Sequence, residues 1–422
     1  MAHLPLRDLE SDDRRDPKPC LTLADLILRN TRMQIRRCAV VFIEPRERLD
    51  FDLSRLVAGG TGVERVREWI ALAAHQDDEI LLDADQVIAL GTLSPEQWIE
   101  FEDACKTVPR EQLDGLIANG LLVSDDAIHS KLREQDEQVR ASHWRGFSAA
   151  LHRHTRWHAI DTLEAERRFG SETDRPFLER LGPPESPVQE RVESAQRIRL
   201  LPAPDTELEK LIRQRVTCRN WDISRPLSAE DLANTLYRAF AARAVSDEPG
   251  ITVMKRAVPS AGGLHPTEAY LLVQNVEGMT PGLYHYHPID HALEPLGDVA
   301  ADESATLALR MVAGQRHFMH AHVVIALASR FRRTFWKYRN HAKAYRAVIL
   351  DAGHLSQMLY LAATERGLAA FITAAVNERD IEEIFGLDSM LEGVLAVSGF
   401  GWRGERVAEV EFDPLGNVWP KS

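Results

Sequence analysis

Apolar residues fall into two periods in the second half of the chain. In 228–242, Leu232, Leu236 and Phe240 recur every four residues, a helical stripe. Ser228 stands at the position of an N-cap, with Asp231 three residues on. Another helix is predicted over 207–215. Residues 269–274 and 323–328 are short continuous apolar runs, which predict buried strands, and 284–294 predicts a hairpin. Residues 344–366 carry Val348, Ile349, Leu350, Ala352, Leu355, Met358, Leu359, Leu361 and Ala362, apolar nearly all round a helix. Such a helix must be buried on every side, at the centre of a domain or at a subunit interface. Gly367 ends it. Asn377 caps a further helix, with Ile381, Ile384 and Phe385 inward and Gly386 as its stop. Helices mixed with a few strands indicate an α+β domain.

The front region has a different order. A β-rich run spans 38–43. Residues 62–74, with Val63, Val66, Trp69, Ile70 and Leu72, read as a helical face, and 79–90 as strand, turn and strand. Ser94, Pro95 and Gln97 form a capping box opening a helix with Trp98, Phe101 and Cys105 on its stripe. Pro109 opens the next helix, with Leu113, Leu116 and Ile117 inward and Gly120 as its stop; residues 121–123 return as a strand. Strands, short helices and a returning strand make a winged-helix-like pattern. The expected division is a polar lead-in over 1–20, a winged-helix-like domain over 21–140, a linker or extended segment over 141–204, and a second domain over 205–422. The linker is placed by the Pro-rich stretch holding Pro176, Pro183, Pro184, Pro187, Pro202 and Pro204.

At 422 residues the chain can bury a core without disulfide or metal staples. Its 64 acidic and 51 basic residues give a net charge of −13, which argues against general nucleic-acid binding. The helix expected from Pro109 is also poor in cations for DNA recognition. No apolar run approaches the ~20 residues of a membrane span, and 1–18 hold no apolar signal core, so a cytoplasmic protein is expected. Cys20, Cys38, Cys105 and Cys218 are scattered, with no zinc spacing, and read as reduced thiols.

Three segments carry candidate chemistry. Arg215 and Arg219, with Thr217 between, suit an anion through forked guanidinium bonds and a hydroxyl; a solvated helix face would read the same way. Ser260, Ala261, Gly262 and Gly263 would let a flat ligand approach the backbone, or form a tight turn before a strand. Lys337 and Tyr338 lie in a basic stretch with Arg330, Arg332, Arg333, Arg339 and Lys343, which could be a surface loop or could attract an acidic peptide. Tyr284, His285, Tyr286 and His287 lack a third ligand at metal spacing, and His317, His320 and His322 carry the same caution. No Walker motif and no GxGxxG fingerprint occur.

The order of these motifs resembles the nitroreductase-like flavoproteins. Within them, Pro259-Ser-Ala-Gly-Gly-Leu, Gly282-Leu-Tyr-His-Tyr286 with His291 and Leu293, and Leu350-Asp-Ala-Gly-His354-Leu-Ser-Gln357 look like the SagB/McbC-type dehydrogenases, FMN-dependent azoline oxidases that mature ribosomally made peptides. The resemblance covers about 205–405, closest to the peptide-maturation dehydrogenases. It implies a nitroreductase-like FMN domain behind the winged-helix-like one. Arg215, Thr217 and Arg219 match the family's phosphate-binding Arg-Arg-Ser-x-Arg pattern, with Val216 and Thr217 as departures. Arg403 falls at a late basic phosphate contact. Ser260, Ala261 and Gly262 match the loop beside the flavin ring. Gly367 and Leu368 match a Gly-Leu-Gly segment whose second Gly is Ala369 here, and His265 stands where the family usually has Tyr.

The family also carries a catalytic Lys-Tyr pair, which Lys337-Tyr338 resembles. Aromatising a thiazoline or oxazoline removes a proton and a hydride from neighbouring carbons. Flavin takes the hydride; a lysine beside a tyrosine favours phenolate, and either could take the proton. The implied partners are a precursor peptide, held by the front domain through strand addition, a cyclodehydratase, and a second copy in a homodimer with FMN at its interface. A front domain that only braces the fold is equally consistent. Two other functions remain open: an NAD(P)H-dependent reductase of nitro compounds, quinones or activated alkenes, and a non-enzymatic binding protein with a decayed flavin fold, of which Val216 and Ala369 would be signs.

Overall fold

The structure is a computed structural model and describes residues 33–168 and 174–420. The expected lead-in, Cys20 and the first residues of the front domain lie outside the described residues. Two compact units emerge among the described residues: the first takes 33–39, 43–71 and 79–136, the second 40–42, 72–78, 137–168 and 174–420.

The first unit contains a three-stranded antiparallel sheet of β1 (Gln34–Arg37), β5 (Ile99–Glu100) and β6 (Leu122–Ser124), in the order β5-β1-β6. The helix Arg110–Ala118 begins after Pro109 as expected, and Leu113, Leu116 and Ile117 are buried. Residues 62–74 differ from the expectation: they form a strand, β3 (Val63–Ala73), between β2 (Val41–Phe51) and β4 (Glu79–Leu82). From Val63 to Trp69 exposure alternates residue by residue, so the period of two decides over the helical spacing of Val66, Trp69 and Ile70. Residues 79–90 hold only the first of two expected strands. Asp83 then caps the helix Ala84–Thr92 through a reciprocal box with Gln86. Ser94 Oγ does accept from the amides of Glu96 and Gln97, but the chain runs into β5 before the short helix Phe101–Ala104.

The second unit is an α+β fold on a six-stranded antiparallel sheet. In chain order its strands are β9 (Thr267–Val273), β10 (Gly282–His287), β11 (Ala292–Asp298), β12 (Val323–Arg330), β13 (Ala369–Thr373) and β14 (Glu392–Gly401), arranged β11-β10-β9-β12-β14-β13. The central strand β12 is apolar from Val323 to Ala328 because both of its faces are covered there. Val323, Ile325 and Leu327 face a core completed by Leu232, Leu236 and Phe240 of the helix Ala229–Phe240 and by Leu355 and Leu359 of the helix Ala344–Glu365. Val324, Ala326 and Ala328 face a second core with Met311, Ile381 and Phe385. A hairpin, β7 (Ala244–Glu248) and β8 (Ile251–Lys255), stands apart from this sheet.

Part of the expected linker belongs to this unit. Trp144 packs at tilted and edge-on angles against Phe331, Phe335 and Tyr345, and its indole N–H donates to Met390 O. After the helix Asp174–Leu181, residues 182–206 are exposed and almost free of regular structure. The Ala344–Glu365 helix is not buried all round within one chain: Ile349 and Leu350 are 48% and 62% exposed, on a stripe with Arg346, Gly353, His354 and Gln357. Among the described residues no helix is long and apolar enough to cross a membrane.

Candidate active site

The loop from Pro259 to His265 is shaped by one buried carboxylate. Asp351, on the Ala344–Glu365 helix, accepts from Ser260 Oγ at 2.5 Å and from the Ala261 amide at 3.3 Å. Ser260 Oγ in turn accepts from the His265 amide at 2.9 Å. These bonds close a short turn in which Gly262 has φ +64°. Burial raises the Asp351 pKa above the usual carboxylate range, against the pull of its two donors.

Lys337 and Tyr338 reach the same loop from the other side. Strand β12 leads directly into the helix Phe331–Lys337, whose Phe331 and Phe335 are anchored in the Trp144 core. Arg333 ties this helix to the loop, donating from Nε to Leu264 O at 2.5 Å and from Nη2 to Thr252 O at 3.2 Å. Lys337 Nζ lies 5.7 Å from the Tyr338 ring centre. At Gly262 the backbone approaches this pair so closely that a Cβ there would stand 2.8 Å from the Tyr338 hydroxyl and 3.1 Å from Lys337 Nζ.

The Arg215–Arg219 segment sits at the far end of the Ala344–Glu365 helix. The Arg215 guanidinium lies 5.3 Å from the Tyr360 ring centre, and Thr217 Oγ1 is 2.9 Å from the Tyr360 hydroxyl. Burial raises the Tyr360 pKa, opposed by Thr217 and Arg215. The segment runs alongside β13: Thr217 bridges Ala370, and the Cys218 amide donates to Ala370 O. Gly367 (φ +71°) and Leu368 form the turn just before β13; Leu368 is buried and its amide donates to Ala363 O. Glu411 enters this region from the C-terminal segment. Its buried carboxylate accepts from the amides of Arg219 (2.7 Å) and Asn220 (3.0 Å), from Asn220 Nδ2 (2.8 Å) and from Trp419 Nε1 (2.9 Å), and pairs with Arg403.

The predicted residues thus form two groups. Gly262, in the loop with Ser260 and Ala261, meets Lys337 and Tyr338; Arg215, Thr217 and Arg219 share a segment tied to β13 at Ala370, just after Gly367 and Leu368, and Arg403 joins it by donating to Val216 O. Within one chain the groups have no shared partner among the described contacts. Asp351 and Tyr360, which organise them, are nine residues apart on one helix, about 13 Å along its axis. The donor set suits a flavin phosphate through Arg215, Thr217 and Arg219, two guanidinium groups and a hydroxyl. Arg403 is committed to Glu411. The close backbone approach at Gly262 suits a flat ring beside Ser260 and Ala261. Asp351 lies within the Leu350–Gln357 motif, where the sequence assigns it no role, and Tyr360 reads as one more large side chain of an apolar helix. Glu411 lies in a polar tail with no periodicity. Among the described residues no His, Cys, Asp or Glu cluster could hold a metal ion; His285 bonds Glu294 at 2.6 Å instead. Cys38, Cys105 and Cys218 carry no disulfide, and burial pushes the Cys218 thiol up to about 11.

Known proteins resemble part of this chain. The model of the nitroreductase family matches residues 212–402. "Putative nitroreductase MJ1384" of Methanocaldococcus jannaschii is 32% identical over 185 residues, 43% of this chain and 86% of that protein. The trifolitoxin-processing protein TfxB of Rhizobium leguminosarum bv. trifolii is 28% identical over 34% of this chain and 38% of its own length. The microcin B17-processing protein McbC of Escherichia coli is 29% identical over 42% of this chain and 62% of its own. The chain therefore spans less than two thirds of either processing protein. Among solved structures, the E. coli microcin synthetase McbBCD complex with truncated pro-MccB17 bound matches with 24% identity and a TM-score of 0.41, over 58% of this chain and 88% of that one.

Proposed function

The chain belongs to the nitroreductase family, and from that premise we propose that it is an FMN-dependent oxidoreductase that matures a ribosomally made peptide by oxidising thiazoline or oxazoline rings to azoles. The observation that supports this reading is the approach of Gly262 to Lys337 and Tyr338, two side chains able to accept a proton, in the loop expected to face a flat ring. The names of the processing proteins TfxB and McbC support a peptide as substrate.

When bound, FMN would supply a two-electron acceptor for the hydride, with oxygen as the final oxidant. The chain's own residues do the rest. Arg215, Thr217 and Arg219 hold the phosphate, with Arg403 set behind them by Glu411. Ser260 and Ala261, fixed by Asp351, shape the wall beside the ring, with Gly367 and Leu368 bounding the Arg215–Arg219 group at the start of β13. Tyr338, with the Lys337 charge close to its ring, accepts the proton lost from the azoline carbon.

A homodimer covers the exposed stripe of Ile349 and Leu350 and holds the flavin between copies. The first unit, read as winged-helix-like, takes the precursor's leader as an added strand at an outermost strand of its sheets, and a cyclodehydratase supplies the azoline.

The test is incubation of flavin-loaded protein with a synthetic thiazoline peptide in air, followed by mass spectrometry. The expected result is loss of two hydrogens, strongly slowed in Lys337→Ala and Tyr338→Phe protein that keeps its flavin. A peptide of unchanged mass, with flavin bound, would overturn the reading.

A further inference from the structure

A cavity of about 420 Å³ opens between the β7–β8 hairpin and the 258–265 loop. Its wall is largely apolar, with Val245, Met254, Val258 and Pro259, and it carries few polar side chains, among them Lys255 and His265.

We propose that His265 is a substrate-contacting residue whose neutral imidazole donates a hydrogen bond to the ring nitrogen of an azoline seated in this cavity. This rests on the reading of the chain as an azoline oxidase.

Four observations support it. His265 is 7% exposed, yet its ring makes no hydrogen bond to any described residue. No ring nitrogen of His265 is among the buried polar atoms left without a partner, so the imidazole opens on the cavity, where a ligand can meet its N–H. Its backbone is also held at φ +47°, a left-handed conformation that L residues with a side chain seldom adopt. The chain Asp351–Ser260–His265 amide enforces it, so the loop is built to present this side chain. Burial, with Arg256, Arg333 and Lys255 nearby, pushes its pKa down to about 4. At neutral pH the ring therefore keeps one N–H donor and carries no charge. Finally, Gly263 lines the cavity while Gly262, next in the chain, abuts Tyr338 and Lys337. His265 and Gly262 thus belong to one short loop, with Lys337 and Tyr338 beyond the wall of the cavity at its Gly262 side.

The arrangement suits the chemistry. An azoline contains a C=N bond whose nitrogen has a lone pair for a donor. A hydrogen bond there draws electron density from the ring and acidifies the carbon bonded to that nitrogen. That carbon loses its proton to the Lys337–Tyr338 pair, and a hydride leaves the adjacent carbon for the flavin. One ring double bond forms, and His265 retains its own proton. A neutral imidazole can polarise the ring in this way without protonating it.

The test uses the full chain with isotope-labelled histidine, titrated with 2-methyl-2-thiazoline and followed by NMR of the imidazole nitrogens. The His265 resonance is identified by its loss in His265→Gln. The probe is expected to shift that resonance. Loss of one hydrogen bond in His265→Phe should weaken probe binding about tenfold, while His265→Gln, which keeps an N–H donor, should stay within about threefold. An unmoved His265 resonance at saturation, or wild-type binding by His265→Phe, overturns the inference. If the peptide is still oxidised in that case, the proposed function survives alone; if flavin-loaded protein oxidises no peptide at all, the function itself fails.

Discussion

Replacing Gly262 with alanine probes the contact on which the proposed chemistry depends. Two costs arise. The residue sits at φ +64°, where an L side chain costs about 1–2 kcal/mol. The new methyl would also stand 2.8 Å from the Tyr338 hydroxyl, 3.1 Å from Lys337 Nζ and 3.2 Å from Lys337 Cδ. All three atoms belong to side chains that can swing away, so the clash relaxes by moving the pair rather than the backbone. The Tyr338 hydroxyl must retreat by roughly 0.5 Å to regain ordinary contact. Misplacement by ~1 Å can cost about a hundredfold in rate, so a drop in turnover of about tenfold is expected. Stability should fall by only about 1–2 kcal/mol, roughly 2–8 °C in Tm for a domain of this size. Gly386→Ala is the control: its φ is +66°, at the end of the helix Glu378–Phe385, and a Cβ there meets nothing within 4 Å. It should lose similar stability and keep its turnover. Turnover on a thiazoline peptide, flavin absorbance and thermal melts are measured on both variants. If Gly262→Ala melts lower but turns over as fast as Gly386→Ala, Lys337 and Tyr338 do not act at this loop.

Removing Asp351 as Asp351→Ala leaves the Ser260 hydroxyl and the Ala261 amide without their acceptor, so denaturant unfolding should show a loss of about 1–3 kcal/mol. Glu411→Ala strands Arg403 and the amides of Arg219 and Asn220; breaking a buried pair costs about 3–5 kcal/mol, and a loss under ~1 kcal/mol would mean the C-terminal segment is not held as described. Acid should also destabilise the fold. Burial holds His152 at about 3 and His265 and His317 at about 4, all below the unfolded value near 6.5, so the unfolded chain binds more protons and stability falls as pH drops below ~6.5. Glu378, raised by burial to about 7, works the other way, as do Asp351, Glu382 and Glu392, which burial also raises, while burial lowers His291 and His322 alongside the other three histidines. Urea midpoints at neutral and mildly acidic pH check this; a midpoint that rises on acidification would contradict it.

Much of the second unit was legible because its signals are local. Ser228 caps its helix through the Asp231 amide, and Gly386 ends another in the left-handed conformation, as their positions suggested. The apolar run at β12 marks a strand covered on both faces. The first unit misled where two periods overlapped: Val66, Trp69 and Ile70 fit a helix, yet pairing between β2 and β4 imposed the strand. Asp83 was a local cap signal passed over inside an apolar run. The site's motifs were visible as motifs, but their organisers were not. Asp351 is 91 residues from Ser260, and Glu411 is 192 from Arg219, so only the folded chain joins them.

The most direct measurement mixes FMN-loaded protein with a thiazoline peptide in the absence of oxygen and records flavin absorbance and peptide mass together. The account predicts that the flavin bleaches as the peptide loses two hydrogens, and that air restores the colour. Flavin that bleaches with NAD(P)H but stays coloured with the peptide would contradict it.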